Sequence, residues 1–551
     1  MQQEQRHEVT IVGGGLAGMI AAWKLAERGF AVTIYEASHR LGGKAGADFV
    51  KSIQEYEDHG YHIFPAWYLN VWKLIADLGI EKNFVDVHDF KQVPVNGKIT
   101  EARVLQRIAS MRGFVPNLLS GVMPFAHMMV FFFGALDLAL APYSERDKLD
   151  QITVTGFIRS RLYRTERMAL QFQDLLLKGI SCPAYEVSAR TMRQVMRAWL
   201  RYPNPMYRIP NTNMHDAFIA PFERKLRELG VEIKFNHSVS QLKTDSYRVQ
   251  RLVIVDSTDP NDPNTRIIPV QHLIMAIPAE KLAALIDPKV YRYAPSLGRV
   301  TEINTRPMAS LSLYFKHKIE GMPEGHINFT DSTYGLTFID IAQLWHKNNP
   351  RHPTILNLIA SDYNILSKVL DNDWYADSET AAQTLFDNLR RYLPEGITWE
   401  DLIDVEIEDN GGRTTMHKKF YFQSHVNEPL FMTDAGAWNN RPDFRVYHPV
   451  YSRQPPPYKS EPLRNQLTNL YLAGDYCRTH IDLVCMEGAL VSGLQAAEVL
   501  RRDVGNAQEI EILYFDDGRS LRWVFWWILR LIALPFVYVA RLTTLIFPSR
   551  A

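Results

Sequence analysis

The sequence predicts an α/β protein of 551 residues with a Rossmann-type nucleotide-binding domain, an inserted domain of mixed sheet and helices, and an apolar C-terminal helix. Three observations predict this fold. A strand–helix–strand pattern with closely spaced glycines stands near the N-terminus, and a strand–turn–helix pattern stands near the C-terminus. A third segment, residues 522–542, is almost entirely apolar and aromatic. Because both chain ends read as parts of one α/β domain, the middle of the chain is predicted to be an insertion.

Composition excludes several other classes of protein. Lysine plus arginine and aspartate plus glutamate number 61 each, so the basic excess usual in nucleic-acid-binding proteins is absent and no nucleic-acid partner is expected. The cysteines, Cys182, Cys477 and Cys485, form no C-x-x-C pair, so we expect neither a disulfide framework nor a metal site. The polar start of the chain leads directly into a strand. We therefore expect no signal peptide and a reducing, cytosolic environment.

The first predicted element is a βαβ unit that fits a dinucleotide. The strand "VTIVG" is followed by G-x-G-x-x-G, formed by Gly13, Gly15 and Gly18. In this motif the first glycine allows a tight turn, the second lets a pyrophosphate approach the backbone, and the third lets the helix pack on the strand. The helix, predicted from Leu16 to Arg28, directs free N–H groups and the positive end of its dipole at the phosphates.

Glu36 ends the second strand, "AVTIYE", where its carboxylate is placed to accept hydrogen bonds from ribose hydroxyls. The alternative is a βαβ unit that binds no ligand, but the strand, helix, strand and terminal acid together favour a nucleotide site. The residues of this unit predicted to contact the nucleotide are Gly13, Gly15, Leu16, Ala17, Gly18 and Glu36.

The segment after the second strand indicates which dinucleotide is bound. Its sequence, "EASHRLGGKAG", contains Arg40 followed by Gly42 and Gly43. It resembles the extended fingerprint of the FAD-containing amine oxidase and phytoene desaturase superfamily, whose cofactor domain is of the glutathione-reductase-2-like Rossmann type. The resemblance implies that FAD is the cofactor and that Arg40, Gly42, Gly43 and Lys44 line its pyrophosphate and flavin. The sequence has no second G-x-G-x-x-G after a strand and no C-x-x-C, which disfavours disulfide reductases with a separate NADPH domain.

The C-terminal pattern is predicted to close the same site. In "YLAGDYCRTHIDLVCMEGALVSG" a strand leads to Gly474 and Asp475, and a helix starts near Met486. Asp475 would hold the ribityl or pyrophosphate part of FAD. The helix N-terminus, with Met486 and Ala489, would face the electron-rich edge of the reduced flavin. The alternative is a buried strand–helix corner with an N-capping aspartate.

The segment "YEDHGYHIFPAWYLNVWKLIADLGI" indicates the branch of the superfamily. It resembles the stretch beside the flavin in plant- and cyanobacterial-type phytoene and zeta-carotene desaturases, with Gly60, His62, Phe64 and Tyr68 at matching points. The resemblance implies that Gly60, Tyr61 and His62 lie near the flavin.

A middle segment, "PNTNMHDAFIAPFERKLRELGVEIKFNHSVSQL", resembles the same branch. There a strand after the helix supplies a backbone contact to adenine, which would be made by Val239. The resemblance covers residues 8–505 and is strongest at the two cofactor ends. The sequence departs from this branch in residues 435–457 and in the C-terminal tail.

His62 has two interpretations. As a catalytic acid or base it would sit near the flavin with a pKa close to neutrality. As a structural residue it would cap a turn or hydrogen-bond a backbone carbonyl. The structural interpretation is favoured, because a weak base or the flavin itself would suffice to take the proton next to a delocalised cation.

The middle of the chain is predicted to alternate between the two domains. "RLVIVDSTDPNDPNTRIIP" reads as a hairpin that leads to a strand of the FAD domain, "PMASLSLYFKHK" and "TILNLIAS" read as strands of a second sheet, and "ETAAQTLFDNLRRYL" reads as an amphipathic helix. The predicted FAD-binding domain comprises residues 1–90, 213–290 and 461–505, the substrate domain comprises 91–212 and 291–460, and the membrane-associating tail comprises 506–551.

Two apolar regions suggest contact with lipid. Residues 115–142 contain prolines and are interpreted either as a membrane-dipping lip of a substrate tunnel or as a buried helical pair. In the tail, Arg519, Arg530 and Arg541 follow one another at intervals of eleven residues, so they lie almost in line on a helix. This basic stripe opposite an aromatic face predicts a helix in the membrane interface. A spanning helix and a helix packed on the protein are the alternatives.

Together these features predict a membrane-associated, FAD-dependent oxidoreductase of desaturase or dehydrogenase type. It would transfer a hydride from a long apolar isoprenoid or lipid to flavin N5, on the cytoplasmic side of a membrane as a peripheral or monotopic protein. A quinone or O2 would accept the electrons. The alternatives are a squalene-pathway flavoenzyme, a redox-neutral polyene isomerase, an amine oxidase, and a non-catalytic escort protein of the same fold that binds prenylated proteins. The oligomeric state stays open.

Overall fold

The computed structural model of the protein describes residues 6–50, 54–58, 60–106, 116–117, 119–141, 148–180, 182–202, 204–245, 247–259, 261–303, 305–306, 309–345, 352–362, 378–403, 405–409, 414–418, 421–424, 430–431, 467–481, 483–514 and 521–546. The divergent segment 435–457 and Arg519 lie outside the described residues.

Within these ranges the helices are α1 (Leu16–Ala26), α2 (Leu69–Leu78), α3 (Phe125–Ala139), α4 (Val154–Arg159), α5 (Glu166–Ile180), α6 (Ala189–Arg201), α7 (Ala220–Glu228), α8 (Ala279–Ala283), α9 (Pro288–Tyr293), α10 (Ser378–Arg390), α11 (Met486–Asp503) and α12 (Leu521–Ile546). The strands of the first half are β1 (Glu8–Val12), β2 (Ala31–Tyr35), β3 (Ala47–Val50), β4 (Glu55–Asp58), β5 (Phe64–Pro65), β6 (Phe84–Val87), β7 (Asp89–Val93), β8 (Arg103–Gln106), β9 (Tyr207–Pro210), β10 (Glu232–Lys234), β11 (His237–Asp245), β12 (Arg248–Asp256), β13 (Asn264–Pro269) and β14 (His272–Met275). Those of the second half are β15 (Thr305–Arg306), β16 (Ala309–Phe315), β17 (His326–Phe329), β18 (Leu336–Asp340), β19 (Thr354–Ala360), β20 (Val405–Asp409), β21 (Thr414–Lys418), β22 (Tyr421–Ser424), β23 (Leu430–Phe431) and β24 (Leu470–Leu472).

A five-stranded sheet of order β10-β2-β1-β14-β24 has only parallel pairs. Its strands come from the beginning, the middle and the end of the chain. The apolar runs in β1 and β14 are buried because helices, among them α1 and α11, cover one face of the sheet, and the three-stranded sheet β11-β12-β13 covers the other together with α8 and α9. The α/β class, the terminal strand–helix pair and the hairpin β12–β13 are confirmed. All carboxyl ends of the parallel strands meet at one edge, where ligands of such sheets bind.

The second large sheet has seven strands in the order β22-β16-β19-β18-β17-β7-β8. It is antiparallel except for the pair β17–β7. Alternate residues of the strands, such as Leu311, Leu356 and Phe338, pack on the apolar face of α10. This contact explains why apolar residues recur with a helical period in the sequence of α10. The strands predicted at 307–318 and 354–361 are confirmed as the neighbours β16 and β19.

Helices α3, α5, α6 and α12 share one apolar cluster. Phe131, Phe133 and Leu138 of α3 are buried in it, which favours the buried interpretation of the 115–142 segment over a lip of the tunnel. Within the described residues, Trp523–Ile546 is long and apolar enough to cross a membrane by length and composition. The apolar C-terminal helix is thus confirmed.

Of the basic stripe predicted for this helix, Arg530 is directed towards α3, Arg541 is partly exposed, and Arg519 lies outside the described residues. Arg530 of α12 is bound to Asp137 of α3, with its Nε 2.7 Å and its terminal nitrogen 2.6 Å from Oδ1. Arg161 lies 3.0 Å from the other carboxylate oxygen, and the hydroxyl of Tyr163 donates to it at 2.7 Å. Since Asp137 is buried in an apolar helix, it attracts the arginine of the tail inward.

The segment that leads to α12 is bound to the surface of the parallel-sheet domain. Arg28 donates to the carbonyl of Gln508 at 2.6 Å, and the side chain of Asn70 exchanges two hydrogen bonds with the backbone of Leu513, at 2.8 and 2.9 Å. Ile510 is buried in the same core. A truncation that keeps these contacts must therefore end after Tyr514.

Candidate functional site

The turn after β1 is built for a close approach of backbone and ligand. A Cβ on Gly13 would lie 2.3 Å from the carbonyl oxygen of Ala276, and one on Gly18 would lie 2.0 Å from the carbonyl oxygen of Gly13. Neither position therefore admits a side chain. A Cβ on Gly15 would meet nothing nearer than the Cα of Gly43, at 4.0 Å. Gly15, the glycine predicted to face a pyrophosphate, thus borders open space beside the start of α1. Leu16 and Ala17 belong to the first turn of this helix.

Glu36 lies directly beside this turn. Its Oε2 accepts a hydrogen bond from the backbone amide of Gly14 at 2.6 Å, and its Oε1 accepts one from Ser38 at 2.8 Å. Two backbone donors fix the carboxylate at the carboxyl end of β2, and each oxygen keeps a further lone pair for ligand hydroxyls.

The second glycine turn contacts the first. The amide of Gly42 donates to the carbonyl of Gly14 at 2.9 Å, and a Cβ on Gly43 would lie 3.1 Å from the Cα of Gly15. Arg40 donates from Nε to Asp48 at 2.5 Å and from a terminal nitrogen to the carbonyl of Gly43 at 3.1 Å. The contacts of Arg40 support the turn, and its contact with a pyrophosphate stays a prediction.

His62 connects two loops of this region. Burial lowers the pKa of His62 to about 4, although hydrogen bonds to the backbone of Lys44 and Gly60 raise it in part. Such a histidine is neutral at physiological pH and lacks the near-neutral pKa that a catalytic acid or base requires. These contacts favour the structural interpretation, in which the imidazole fixes the Lys44 turn against the Gly60 loop.

Tyr61 points into the second sheet. Its amide donates to Asn357 at 3.0 Å, and its hydroxyl lies 2.5 Å from Thr337 Oγ1 and 2.7 Å from His326 Nε2. Burial raises the pKa of Tyr61 above its usual range and lowers the pKa of His326 to about 3. This buried network joins the loop at Gly60 to the sheet, so a direct contact of the Tyr61 side chain with a cofactor stays a prediction.

The turn after β24 reaches the same edge of the parallel sheet. The amide of Gly474 donates to Ser492 Oγ of α11 at 2.7 Å. A Cβ on Gly493 would lie 2.2 Å from the carbonyl oxygen of Ala17, so α11 packs closely on α1. Met486 and Ala489, in the first turn of α11, pack partly buried against the same core. The chain ends predicted to share one site therefore meet.

Val239 belongs to β11, whose pairing with β12 shifts register between Val239 and Gln241. Just before it, the amide of His237 donates to the carbonyl of Glu36 at 2.8 Å. Val239 therefore lies two residues after a backbone contact with the end of β2. Its contact with adenine stays a prediction.

Several buried carboxylates escaped the sequence predictions. Glu487 of α11 accepts from the amides of Asn70 and Val71, both at 2.9 Å, and so caps the N-terminus of α2. Burial raises the pKa of Glu487 and that of Glu57 to about 7. The partners of both lie hundreds of residues away in sequence, so no local pattern could have indicated them.

Comparison with known proteins identifies the family. The sequence profile of the flavin-containing amine oxidoreductases matches residues 16–501. The chain belongs to this family. It is therefore an FAD-dependent oxidoreductase, and the open space at Gly15 and the hydrogen-bonding carboxylate of Glu36 fit the phosphate and ribose parts of FAD.

Its similarity to two plant- and cyanobacterial-type members of the amine oxidoreductase family extends over most of the chain. The 15-cis-phytoene desaturase of Synechococcus elongatus is 21% identical over 522 residues, which cover 93% of this chain and 98% of that protein. The chloroplastic/chromoplastic 15-cis-phytoene desaturase of an Oncidium hybrid cultivar is 21% identical over 529 residues, covering 90% of this chain and 78% of that protein. The structure of cyclohexylamine oxidase from Brevibacterium oxydans has a TM-score of 0.55 at 13% identity, covering 91% of this chain and 100% of that chain. At this identity the structural likeness supports the fold alone.

Proposed function

We propose that the protein is a membrane-associated desaturase or dehydrogenase that oxidises a long apolar isoprenoid, such as a polyene. The observation that carries the substrate class is the match to 15-cis-phytoene desaturase over 93% of this chain and 98% of the relative. The proposal assigns residues 1–90, 213–290 and 461–505 to the FAD domain.

When bound, FAD would supply the two-electron acceptor for this oxidation, in which the substrate would lose a hydride to the flavin and a proton to a weak base or to the flavin itself. The chain would hold it through the glycine turn after β1, Glu36, the Lys44 turn and Asp475. We assign His62 a positioning role, because its contacts join the Lys44 turn to Gly60 and burial lowers its pKa. A membrane quinone or O2 is the proposed final electron acceptor.

The outer face of α12 supports a substrate dissolved in lipid. Its exposed apolar side chains recur every three or four residues, so they lie along one side of the helix: Phe525, Ile528, Ile532, Phe536, Val539 and Leu542. An exposed apolar strip of this length on a soluble surface is unusual and is typical of a protein or membrane contact.

We propose that this face lies on the cytoplasmic surface of a membrane and anchors the protein as a monotopic one. The opposite side of α12, with Val537 and Ala540, is buried against α3, and Arg530 is held by Asp137. A spanning helix would have to break these contacts, including the ion pair of Arg530 with the buried Asp137. The contacts therefore favour a helix packed on the protein that exposes one face to lipid.

Anaerobic mixing of the purified yellow protein with liposomes tests the proposed reaction. Liposomes that carry long polyenes should bleach the visible absorbance of the flavin, and the extracted product should have lost two hydrogens. Liposomes with soluble or lipophilic amines serve as the comparison. Bleaching by amines but not by any polyene would identify an amine oxidase and refute the proposal. A product with rearranged double bonds and no net oxidation would identify an isomerase instead.

A further inference from the structure

A strongly basic segment of the chain lies beside α12. Residues 159–167, with the sequence "RSRLYRTER", connect α4 to α5 and are called the arginine segment below. The segment contains four arginines and a single acidic residue, Glu166. Arg159 and Arg164 are exposed, and neither forms an ion pair with a carboxylate in the part of the chain that the structure describes. Positive charge is therefore concentrated on this part of the surface.

Contacts with α3 and α12 fix the position of the arginine segment. The buried ring of Tyr163 packs edge-on against Phe133 of α3, with 4.9 Å between the ring centroids, and its hydroxyl donates to Asp137 at 2.7 Å. From α12, Nε of Arg541 donates to the carbonyl of Arg164 at 3.3 Å. The segment is thus held along the flank of α12 that carries its arginines, next to the apolar outer face of that helix.

The charges on this flank do not cancel. Arg161 of the segment and Arg530 of α12 share the single carboxylate of Asp137. In the segment and the side chains of α3 and α12 that contact it, six arginines stand against two carboxylates: Arg159, Arg161, Arg164, Arg167, Arg530 and Arg541 against Asp137 and Glu166. Because arginine stays protonated at any physiological pH, the excess of positive charge is permanent and favours an anionic partner.

An apolar side chain stands among these arginines. Leu162 is 76% exposed, although the next residue, Tyr163, is buried. Apolar residues flanked by basic ones are typical of surfaces that rest on an anionic bilayer, where the apolar groups enter the lipid and each arginine keeps its charged end among the headgroups. A free phosphate ion or an acidic protein would match the charge, but it would leave Leu162 and the outer face of α12 in water.

We propose that the arginine segment binds the phosphate headgroups of anionic phospholipids, with Leu162 inserted into the bilayer beside α12. This inference rests on the membrane contact of α12 under the proposed function and adds a lipid preference to it. The outer face of α12 meets acyl chains, which neutral and anionic lipids share. The arginine segment distinguishes the two kinds of lipid by the charge of their headgroups.

Flotation of the full-length protein on two kinds of vesicle tests the proposal. One kind consists of phosphatidylcholine and the other of equal parts phosphatidylcholine and phosphatidylglycerol. The wild type should partition at least about tenfold more strongly into the anionic vesicles. The double variant Arg159→Gln, Arg164→Gln should bind anionic vesicles roughly twentyfold to thirtyfold more weakly, since each basic residue at such a surface contributes about a factor of five. Its binding to neutral vesicles should not change.

Matched variants separate headgroup binding from a general change of charge or fold. Arg159→Lys with Arg164→Lys keeps both charges and should partition like the wild type. Arg251→Gln with Arg292→Gln removes the same charge from exposed positions of β12 and α9 and should also partition like the wild type. Leu162→Ser should weaken binding to both kinds of vesicle. Since all these side chains are exposed, each variant should retain FAD and the unfolding temperature of the wild type.

The outcomes distinguish this inference from the proposed function. If the wild type floats equally well on both kinds of vesicle, or if the glutamine variant loses no more than its control, the membrane contact of α12 stands and the headgroup site is refuted. Binding of Leu162→Ser equal to that of the wild type would place the segment away from the lipid and overturn the proposal. If the wild type floats on neither kind of vesicle, the membrane contact itself is wrong and the headgroup site falls with it.

Discussion

Replacing three side chains on the outer face of α12 should detach the protein from membranes. Leu531, Ile532 and Phe536 are 60%, 58% and 62% exposed. They contribute little to the core, so the triple serine variant should fold and retain FAD. Its only large change is the loss of apolar surface that the proposed membrane contact would bury.

The expected size of the effect follows from these exposures. Complete burial of a large apolar side chain contributes about 1.5–3 kcal/mol, and the exposed part of each of these residues is roughly three-fifths of that. Each side chain therefore has about 1–2 kcal/mol available for contact with lipid, and the three together have about 3–5 kcal/mol. Partitioning into liposomes should fall by roughly a hundredfold to a few thousandfold, because each 1.4 kcal/mol is about a factor of ten.

Flotation on liposomes measures this partitioning directly. The control variant carries serine at Val85, Ile267 and Tyr291, which are 40%, 50% and 52% exposed on other elements. It should float like the wild type. If the α12 variant also floats like the wild type, the outer face of α12 is not the anchor and the reasoning fails. Resistance of the wild type to alkaline carbonate would in addition favour a spanning helix over the proposed surface contact.

Further predictions concern the packing of the tail, the glycine turn and the buried acids. Asp137→Ala should lower the free energy of unfolding by about 1.5–3 kcal/mol, as measured by chemical denaturation, because the half-buried Arg530 loses its hydrogen bonds to a charged group; a double variant with Arg530→Met should recover part of the loss, and no recovery would argue against the pair. Gly15→Ala should fold but bind FAD at least about tenfold more weakly in fluorescence titrations, since its Cβ would enter the open space meant for the pyrophosphate. Gly18→Ala should yield little folded protein on expression, because its Cβ would lie 2.0 Å from a carbonyl oxygen, and normal yields would contradict the geometry. Burial raises the pKa of Glu57 from 4.5 to about 7, so the unfolded chain releases this proton at lower pH than the folded protein. Stability should therefore fall as pH rises from about 4.5 through 7, by up to about 3 kcal/mol for this group, and Glu57→Gln should flatten that decline in pH-dependent denaturation.

The C-terminal helix α12 shows what helical periodicity can predict and what it cannot. The spacing of Arg530 and Arg541 predicts that they share one side of a helix, and the exposed apolar residues do lie on another side. Periodicity does not tell which side the protein covers. In the structure Arg530 faces α3 because it pairs with the buried Asp137, which lies almost four hundred residues earlier in the chain. Arg530 of the predicted basic stripe thus takes part in an intramolecular contact.

The sequence by itself determined the first βαβ unit, the cofactor class and the glycine turn that approaches the cofactor. These features depend on glycines, strands and a carboxylate within about forty residues, where backbone sterics and hydrogen bonding act locally. Tertiary structure alone decided the surroundings of Glu57, Glu487 and Asp137. Whether a carboxylate is buried, and whether a donor meets it, depends on segments that approach only when the sheets pack, because desolvation and pairing arise between residues distant in sequence.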